Sequence, residues 1–308
     1  MSAFDPAERR TYLGATDIAA VLGVSPFRSP IDVWIEKRGG EGQPETERMR
    51  AGTLLEDVIC QMYEEDTGRR LIHRRQAVHP RHAFIRVHPD RIVIGEPGGM
   101  DAKFSEFGHG YGEPGTDQVP PHVRVQCLVY SGVLRREWWD VGLFRGAPPL
   151  AIYHLPHDAA LYEEVIDFAA GWWQRHIVEG EEPEPDGSAG YRDFIARKYP
   201  RTVELEIVAT AEQALLIEEL RTARDTRAAA EKREAELLNR VAASMGEATV
   251  LLSPLGKVTF RPAVAPRWKS IAEAVANEAM VALEPYVAAD IEGRAKPSPR
   301  FWPAKEAA

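Results

Sequence analysis

Two carboxylates and an ammonium stand out in the middle of the chain: Asp90 after Pro89, and a little further on Asp101-Ala102-Lys103. In an extended strand, side chains at i and i+2 share a face, so Asp101 and Lys103 project together while the Ala102 side chain faces the core. Asp90 opens the preceding run, RIVIG, and a hairpin through Glu96-Pro97-Gly98-Gly99 would bring it alongside Asp101. Two hard oxygen donors beside an ammonium suit Mg2+ or Mn2+. Phosphodiester hydrolysis draws on the same set. A cation polarises the phosphoryl oxygen and activates water; a lysine orients or deprotonates that water or meets the developing charge. Glu56, after Gly52-Thr53-Leu54-Leu55, is a further carboxylate that could join them. On spacing alone, an exposed strand salt bridge accounts for the Asp-x-Lys at least as well.

These residues need a sheet to carry them and helices to cover it. TDIAAVL (16–22) reads as a short helix stopped by Gly23, and Ser29-Pro30 as an N-cap with proline in the first turn of IDVWIEKRG. From about 45 to 66, Met49, Leu54, Leu55, Val58, Ile59, Met62 and Tyr63 recur at helical spacing, with Gly68 as the stop. The period then changes: RRLIHRRQAVHP, AFIRVHP, RIVIG and GMDAKFS read as consecutive strands. Residues 105–121 are a Gly/Pro-rich loop, suited to a mobile flap beside the site. A helix over 122–134, two strands (EWWDVGLF and LAIYHL) and a helix capped by Asp158 and reaching about His176 follow. The acidic tract EGEEPEPD (179–186) reads as a linker. Beyond it come a long helix over 211–245, a β-hairpin at about 248–262 and an amphipathic helix over 271–287. The order predicts a mixed α/β fold. A central mixed sheet flanked by helices occupies residues 1–200, with its core at about 9–178, and a mainly helical extension occupies 201–308.

The 308 residues carry 38 Lys+Arg against 47 Asp+Glu, a formal charge of −9, which argues against a protein that coats nucleic acid indiscriminately. The charge is segregated, however. Between Arg69 and Arg91 lie seven arginines and four histidines against one acid, Asp90. That tract fits a phosphate-facing surface and a solvated strand face equally. No run reaches the ~18 apolar residues of a membrane span, and MSAFDPAERR lacks the apolar core of a signal peptide, so a cytoplasmic protein is expected. Two cysteines, Cys60 and Cys127, exclude a disulfide scaffold, an all-cysteine zinc site and a cysteine-ligated iron–sulfur cluster. Both read as buried small hydrophobes. His73, His79, His82 and His88 are scattered rather than spaced for zinc, and the pairs Trp138-Trp139 and Trp172-Trp173 fit core packing better than base stacking.

Five motifs in order choose among these readings. LGATDIAAVLGVSPFRSPIDVWIEKRG, GTLLEDVICQMYEEDTG, HPDRIVI…GGMDAKFSE, YGEPGTDQVPPHVRVQCLVYSGV and EWWDVGLF with LAIYHLPHDAALYEEVIDFAAGWW follow one another across much of residues 9–176. Together they resemble the YqaJ-type viral recombinase family, the phage lambda exonuclease-like branch of the PD-(D/E)xK nuclease superfamily. The resemblance implies that Asp90 and Asp101 bind the catalytic Mg2+ or Mn2+, with the Ala102 carbonyl as a further ligand and Glu56 at a metal site or its water. It implies that Lys103 activates or positions the nucleophile and that Gln126 helps hold the scissile strand. Arg9 and Thr16 fall where the exonuclease branch binds a terminal 5′ phosphate, and a helix start offers an anion site on physical grounds too. Arg28, Arg74 and Arg91 are assigned to the DNA beside them. Asp101 stands where Glu is commoner, Arg91 where Gly is usual and Thr16 where Ser is usual. The implied activity is metal-dependent hydrolysis of linear duplex DNA from its ends, 5′ to 3′, exposing single strand for an annealing protein. Phage or prophage origin in a bacterial host and a ring-shaped homotrimer are implied with it. A structure-selective endonuclease on the same core and a catalytically silent DNA-end-binding scaffold are the competing expectations.

Overall fold

The computed structural model describes residues 6–40, 42, 46–200, 206–262 and 297–303. They fall into two compact units divided between Val203 and Glu204. In the first, the helices α1 (Pro6–Arg9), α2 (Ala15–Val21), α3 (Pro30–Lys37) and α4 (Glu47–Thr67) lead into the strands. Pro30 occupies the first turn of α3, and α4 ends at Gly68, whose φ of 71° closes the helix in the left-handed conformation.

Five strands form the sheet: β1 (Leu71–His73), β4 (Arg91–Val93), β5 (Gly98–Phe104), β6 (Trp138–Phe144) and β7 (Ala151–Pro156), in that spatial order. Between β1 and β4 in the chain, β2 (Ala77–Val78) and β3 (Arg86–Val87) make a separate two-stranded ladder. β5 and β6 are parallel and the other neighbours antiparallel. The parallel pair is joined by α5 (Pro121–Val133), the crossover that parallel neighbours require. This is the mixed α/β class that the sequence predicts.

Successive residues of the central strands face opposite layers. Met100, Ala102, Phe104 and Ile152 pack with Ile59, Cys60 and Tyr63 of α4. On the other face, Val141, Leu143, Tyr153 and Leu155 join Val123, Cys127 and Val129 of α5 and Ile166 of α6 (Ala159–Trp172). Alternation therefore puts Asp101 and Lys103 on the α5 face. Of the apolar stripe on α4, Met49, Leu54 and Val58 remain exposed, because only the later turns of the helix lie over the sheet.

Some local expectations are corrected. The turn between β4 and β5 lies at Ile94–Pro97, and Gly98 and Gly99 belong to β5. The indoles of Trp138 and Trp139 cover them, so closely that a Cβ would come within 2.2 and 2.3 Å of the rings. Asp158 caps α6 by accepting the Leu161 N–H at 3.0 Å, but the helix continues past Trp172 as a π-helix, Trp173–Val178. The tract 179–186 does not divide two units. It leads into α7 (Ala189–Lys198), absent from the sequence reading, whose Phe194 stands edge-on to Trp34 of α3 at 5.9 Å. Glu182 of the tract accepts from Tyr191 Oη at 3.0 Å and from Lys198 Nζ at 2.6 Å. The loop expected as a flap is tied to β7: Gly115 N–H donates to Ile152 O at 2.7 Å and His154 N–H to Thr116 O at 3.0 Å. That segment covers a strand that would otherwise be an open sheet edge.

The second unit contains α8 (Ala211–Met245) and the antiparallel strands β8 (Val250–Ser253), β9 (Gly256–Pro262) and β10 (Pro297–Pro303), in the order β8-β9-β10. β8 and β9 form the hairpin read from the sequence. The helix expected over 271–287 lies outside the described residues.

Candidate active site

The β4–β5 ladder pairs Arg91 with Met100 and Ile92 with Gly99. One residue further along the same register, Asp90 lies opposite Asp101. Asp90 Oδ2 accepts the Ala102 N–H at 2.9 Å. Asp101 is fully buried, forms an ion pair with Lys103, and stands 3.5 Å from the amide Nε2 of Gln126 on α5. The same Nε2 donates to Tyr130 Oη at 2.8 Å, one turn along the helix, so Gln126 is braced against the carboxylate.

Burial and the adjacent Asp101 charge hold the Asp90 carboxyl well above the usual carboxylate range, against the opposing pull of Lys103 and the Ala102 N–H. For Lys103, burial favours the neutral amine, but Asp101 and Asp90 outweigh it and raise its pKa. It is therefore an ammonium at neutral pH, able to orient and neutralise rather than to take a proton. That narrows the alternatives that the sequence leaves open for it. Burial and the same two carboxylates also push the Tyr130 phenol up, keeping it protonated.

A divalent cation fits this donor set. Two hard carboxylates side by side carry more negative charge than one lysine neutralises, and of the two only Asp101, through its Oδ2, is ion-paired with that lysine. The raised Asp90 carboxyl registers the same repulsion, which a bound cation would relieve. Among the described residues no three His, Cys, Asp or Glu side chains converge as a metal cage, but Glu56 lies near enough to Asp90 for its charge to add to the push on that carboxyl. It sits on α4, across the sheet from Asp101, and its Oε1 accepts from Arg91 Nη1 at 2.8 Å. Arg91 also pairs with Asp57 and donates to the Asp90 carbonyl at 2.7 Å. The β4 register turns Arg91 to the α4 face with Met100, and there it clamps Glu56.

Close by, one cleft of about 1360 Å³ is lined both by Arg9, Thr16 and Arg28 and by His122 and Gln126. The sequence reading names Arg9, Thr16 and Arg28 but misses what holds the arginines. Asp17, with no solvent exposure, takes Arg9 Nη2 at 2.9 Å, Arg28 Nη1 at 2.7 Å and Lys37 Nζ at 2.9 Å. Its Oδ2 also accepts the Gly14 N–H at 2.9 Å. Burial alone would push the Asp17 carboxyl up, but Arg9, Lys37, Arg28 and the Gly14 amide outweigh it and bring it down to about 2. Glu36 completes the cluster, accepting from Arg9 Nε at 3.2 Å and Arg28 Nη2 at 2.5 Å. The overlooked signal is a pair of charged residues, Asp17 and Lys37, on otherwise apolar helix faces.

Residues 7–134 match the family model of the YqaJ-like viral recombinase domain. The matched segment resembles that domain. It contains the whole site, from Arg9 to Tyr130. The YqaJ protein of Bacillus subtilis (strain 168) is 25% identical over 201 residues, covering 63% of this chain, and the chain spans 62% of that relative's length. Among solved structures, the alkaline exonuclease LHK-Exo of Laribacter hongkongensis is similar at 18% identity. That likeness covers 63% of this chain and 96% of the exonuclease, with a TM-score of 0.45. A phage-related exonuclease from Haemophilus somnus 129PT is similar at 14% identity over 55% of this chain and 96% of its own, with a TM-score of 0.44.

In the first unit, the basic tract is largely neutralised by acids that lie outside it. Arg69 pairs with Glu96 and Asp140, Arg70 with Glu64, Arg81 with Glu163, Arg86 with Glu8, and Arg91 with Glu56 and Asp57. Arg74 and Arg75 lie exposed in the loop after β1. Two of the histidines serve packing: His79 and His82 stack at 5.1 Å, and His79 Nδ1 accepts the backbone N–H of Arg81 at 3.2 Å and of His82 at 3.1 Å. Trp139 and Trp172 are buried, and Trp173 stacks on Phe84 at 5.0 Å.

Proposed function

We propose that this protein is a metal-dependent deoxyribonuclease of phage recombination type, an exonuclease that works from the ends of linear duplex DNA in the 5′ to 3′ direction. The observation that carries this reading is the one cleft shared by Arg9, Thr16 and Arg28 and by Gln126, whose amide meets Asp101. A basic pocket for a strand terminus beside the carboxylates serves an enzyme that starts at an end; cutting within a duplex has no use for it. Asp90 and Asp101 would hold Mg2+ or Mn2+, which supplies Lewis acidity to the scissile phosphoryl group. Lys103, kept as an ammonium, orients the attacking water and meets charge developing on the phosphoryl oxygens. Gln126, braced by Tyr130, positions the scissile strand. Arg9 and Arg28, oriented by Asp17, receive the terminal phosphate together with the Thr16 hydroxyl, and exposed Arg74 is left to contact the duplex backbone. A homotrimeric ring, a single-strand annealing partner and a cytoplasmic setting belong to the same reading. No helix among the described residues is long and apolar enough to cross a membrane.

The test uses linear duplex DNA with a labelled 5′-phosphate end, Mg2+ and a closed-circle control. Wild type should convert linear DNA to mononucleotides and spare circles, while Lys103→Ala should bind DNA but lose about 10²–10³ in kcat, the loss typical of a missing electrostatic stabiliser. Binding without cleavage by wild type, with Mg2+ and with Mn2+, would transfer the reading to the silent scaffold. Cleavage of closed circles would transfer it to an endonuclease.

A further inference from the structure

The ion cluster at the cleft holds three cations, Arg9, Arg28 and Lys37, against two carboxylates, Asp17 and Glu36. The two carboxylates differ in kind. Asp17 is sealed from solvent and does not line the cleft; Glu36 does line it. Glu36 bridges the two guanidinium groups, one oxygen to Arg9 Nε at 3.2 Å and the other to Arg28 Nη2 at 2.5 Å. Two oxygens of a terminal phosphate would be received by the same pair of forks. Lys37 Nζ, bonded to Asp17 and to the Arg9 carbonyl at 2.9 Å each, also stands 3.5 Å from Glu36 Oε1. Buried Arg28 Nε has no hydrogen-bond partner, so this arginine has donor capacity to spare.

We propose that Glu36 is a resident, displaceable anion of the cleft. It occupies Arg9 and Arg28 while the pocket is empty and yields them to the terminal phosphate of a DNA strand, keeping Lys37 as its own partner. The inference rests on reading the cleft as a terminal-phosphate pocket. Asp17 alone leaves the partly buried cluster of Arg9, Arg28 and Lys37 with excess positive charge, which is costly, so the fold supplies a second carboxylate from within. A terminal phosphate brings about −1.5 to −2 charge and three acceptor oxygens against one charge and two oxygens, so it wins the competition. The competition also lowers the net affinity for each new terminus, which lets an end be released and re-seated as a strand is shortened.

The experiment measures binding of short duplexes with 5′-phosphate or 5′-hydroxyl ends in EDTA, so that no turnover intervenes, with inorganic phosphate as a competitor. Glu36→Gln, which keeps the shape and removes the competing charge, should tighten 5′-phosphate ends about tenfold, about one charge-assisted hydrogen bond. Binding of 5′-hydroxyl ends should not change. Inorganic phosphate should displace DNA at correspondingly lower concentration if the site takes any phosphate. If it does so no better from the variant, the tightening belongs to strand termini alone. Glu36→Asp retains the cluster's charge balance but withdraws the carboxylate by one methylene; it should move the phosphate preference the same way by less, and it serves where the Gln variant fails to fold. An unchanged or weakened preference for 5′-phosphate over 5′-hydroxyl ends in the folded variants would make Glu36 a fixed structural brace and overturn the inference. Wild type that binds both ends equally would remove the terminal-phosphate reading as well, and that outcome is visible before any variant is compared.

Discussion

Asp17→Asn is the substitution that most directly tests how the cleft is built. Among the described residues, the buried carboxylate is the only anion sealed in with Arg9, Arg28 and Lys37, and its loss leaves three cations facing Glu36. A floor for its contribution comes from its titration. Burial pushes the carboxyl up, the three cations and the Gly14 amide pull it down, and the net result lies at about 2 against an ordinary 3.8. At ~1.4 kcal/mol per unit that corresponds to about 2 kcal/mol at neutral pH. Removing one partner of a buried ion pair typically costs about 3–5 kcal/mol, because the charges left behind are unpaired in a poor solvent. A loss near 3 kcal/mol should lower the melting temperature of a unit this size by roughly 6–12 °C. Urea unfolding followed by tryptophan fluorescence is the assay, since Trp34, Trp138, Trp139, Trp172 and Trp173 all lie in the first unit. The sign of the pH dependence is fixed by the depressed carboxyl. Its stabilisation is fully present above the unfolded value near 3.8 and is lost as pH falls toward about 2. Wild type and Asp17→Asn should therefore converge as pH drops below the ordinary carboxylate range. A loss below about 1 kcal/mol at pH 7, or a gap that is constant from pH 7 to pH 3, would refute the charge argument.

Two further outcomes test the packing and the histidine cluster. Gly132→Ala gains about 1 kcal/mol on helix propensity alone. In α5, however, a Cβ there would meet the Tyr162 ring at 2.2 Å, so the variant should instead lose about 1–3 kcal/mol, and a raised urea midpoint would contradict the α5–α6 contact. Burial, with the nearby His82 and Arg81 charges, lowers the His79 imidazole to about 4. The folded state thus keeps His79 neutral after the unfolded chain has taken up a proton, and stability should decline as pH falls from about 6.5 toward 4. His79→Asn, which retains an acceptor for the Arg81 and His82 amides, should flatten that decline in urea midpoints read across the interval; an unaltered slope would exclude His79 as its source.

The candidate site's Asp90, Asp101 and Lys103 are legible from two local rules. Strand alternation puts Asp101 and Lys103 on one face, and a tight hairpin sets Asp90 beside them; the observed register, Arg91 with Met100, meets both. Glu56 shows where local rules stop. Helical spacing places it near the strands, but which face of the sheet α4 covers depends on the burial of Ile59, Cys60 and Tyr63 against Met100, and that packing hands Glu56 to Arg91. The two missed features of the first unit have similar origins. The π-helical turn after Trp172 continues an apolar pattern with no break in it. Helix α7 has weak amphipathicity and is defined by its docking of Phe194 on Trp34.

The sequence by itself determined most of the element order, though not α7 or the π-helical turn, together with the Asp90, Asp101 and Lys103 set and the hydroxyl and arginines gathered near the first helices, because capping, strand alternation and tight turns act over a few residues. Only the tertiary structure decided which charges are free to act. Arg69 is cancelled by Asp140, separated from it by 71 residues, and Arg9 and Arg28 are held by Asp17 and Glu36 on different helices. Ion pairs of this kind depend on strand order and on which helix faces meet, and buried charge is stable only where such partners converge. A run of arginines in the sequence is therefore a statement about composition, and the field that a phosphate meets is set by the fold.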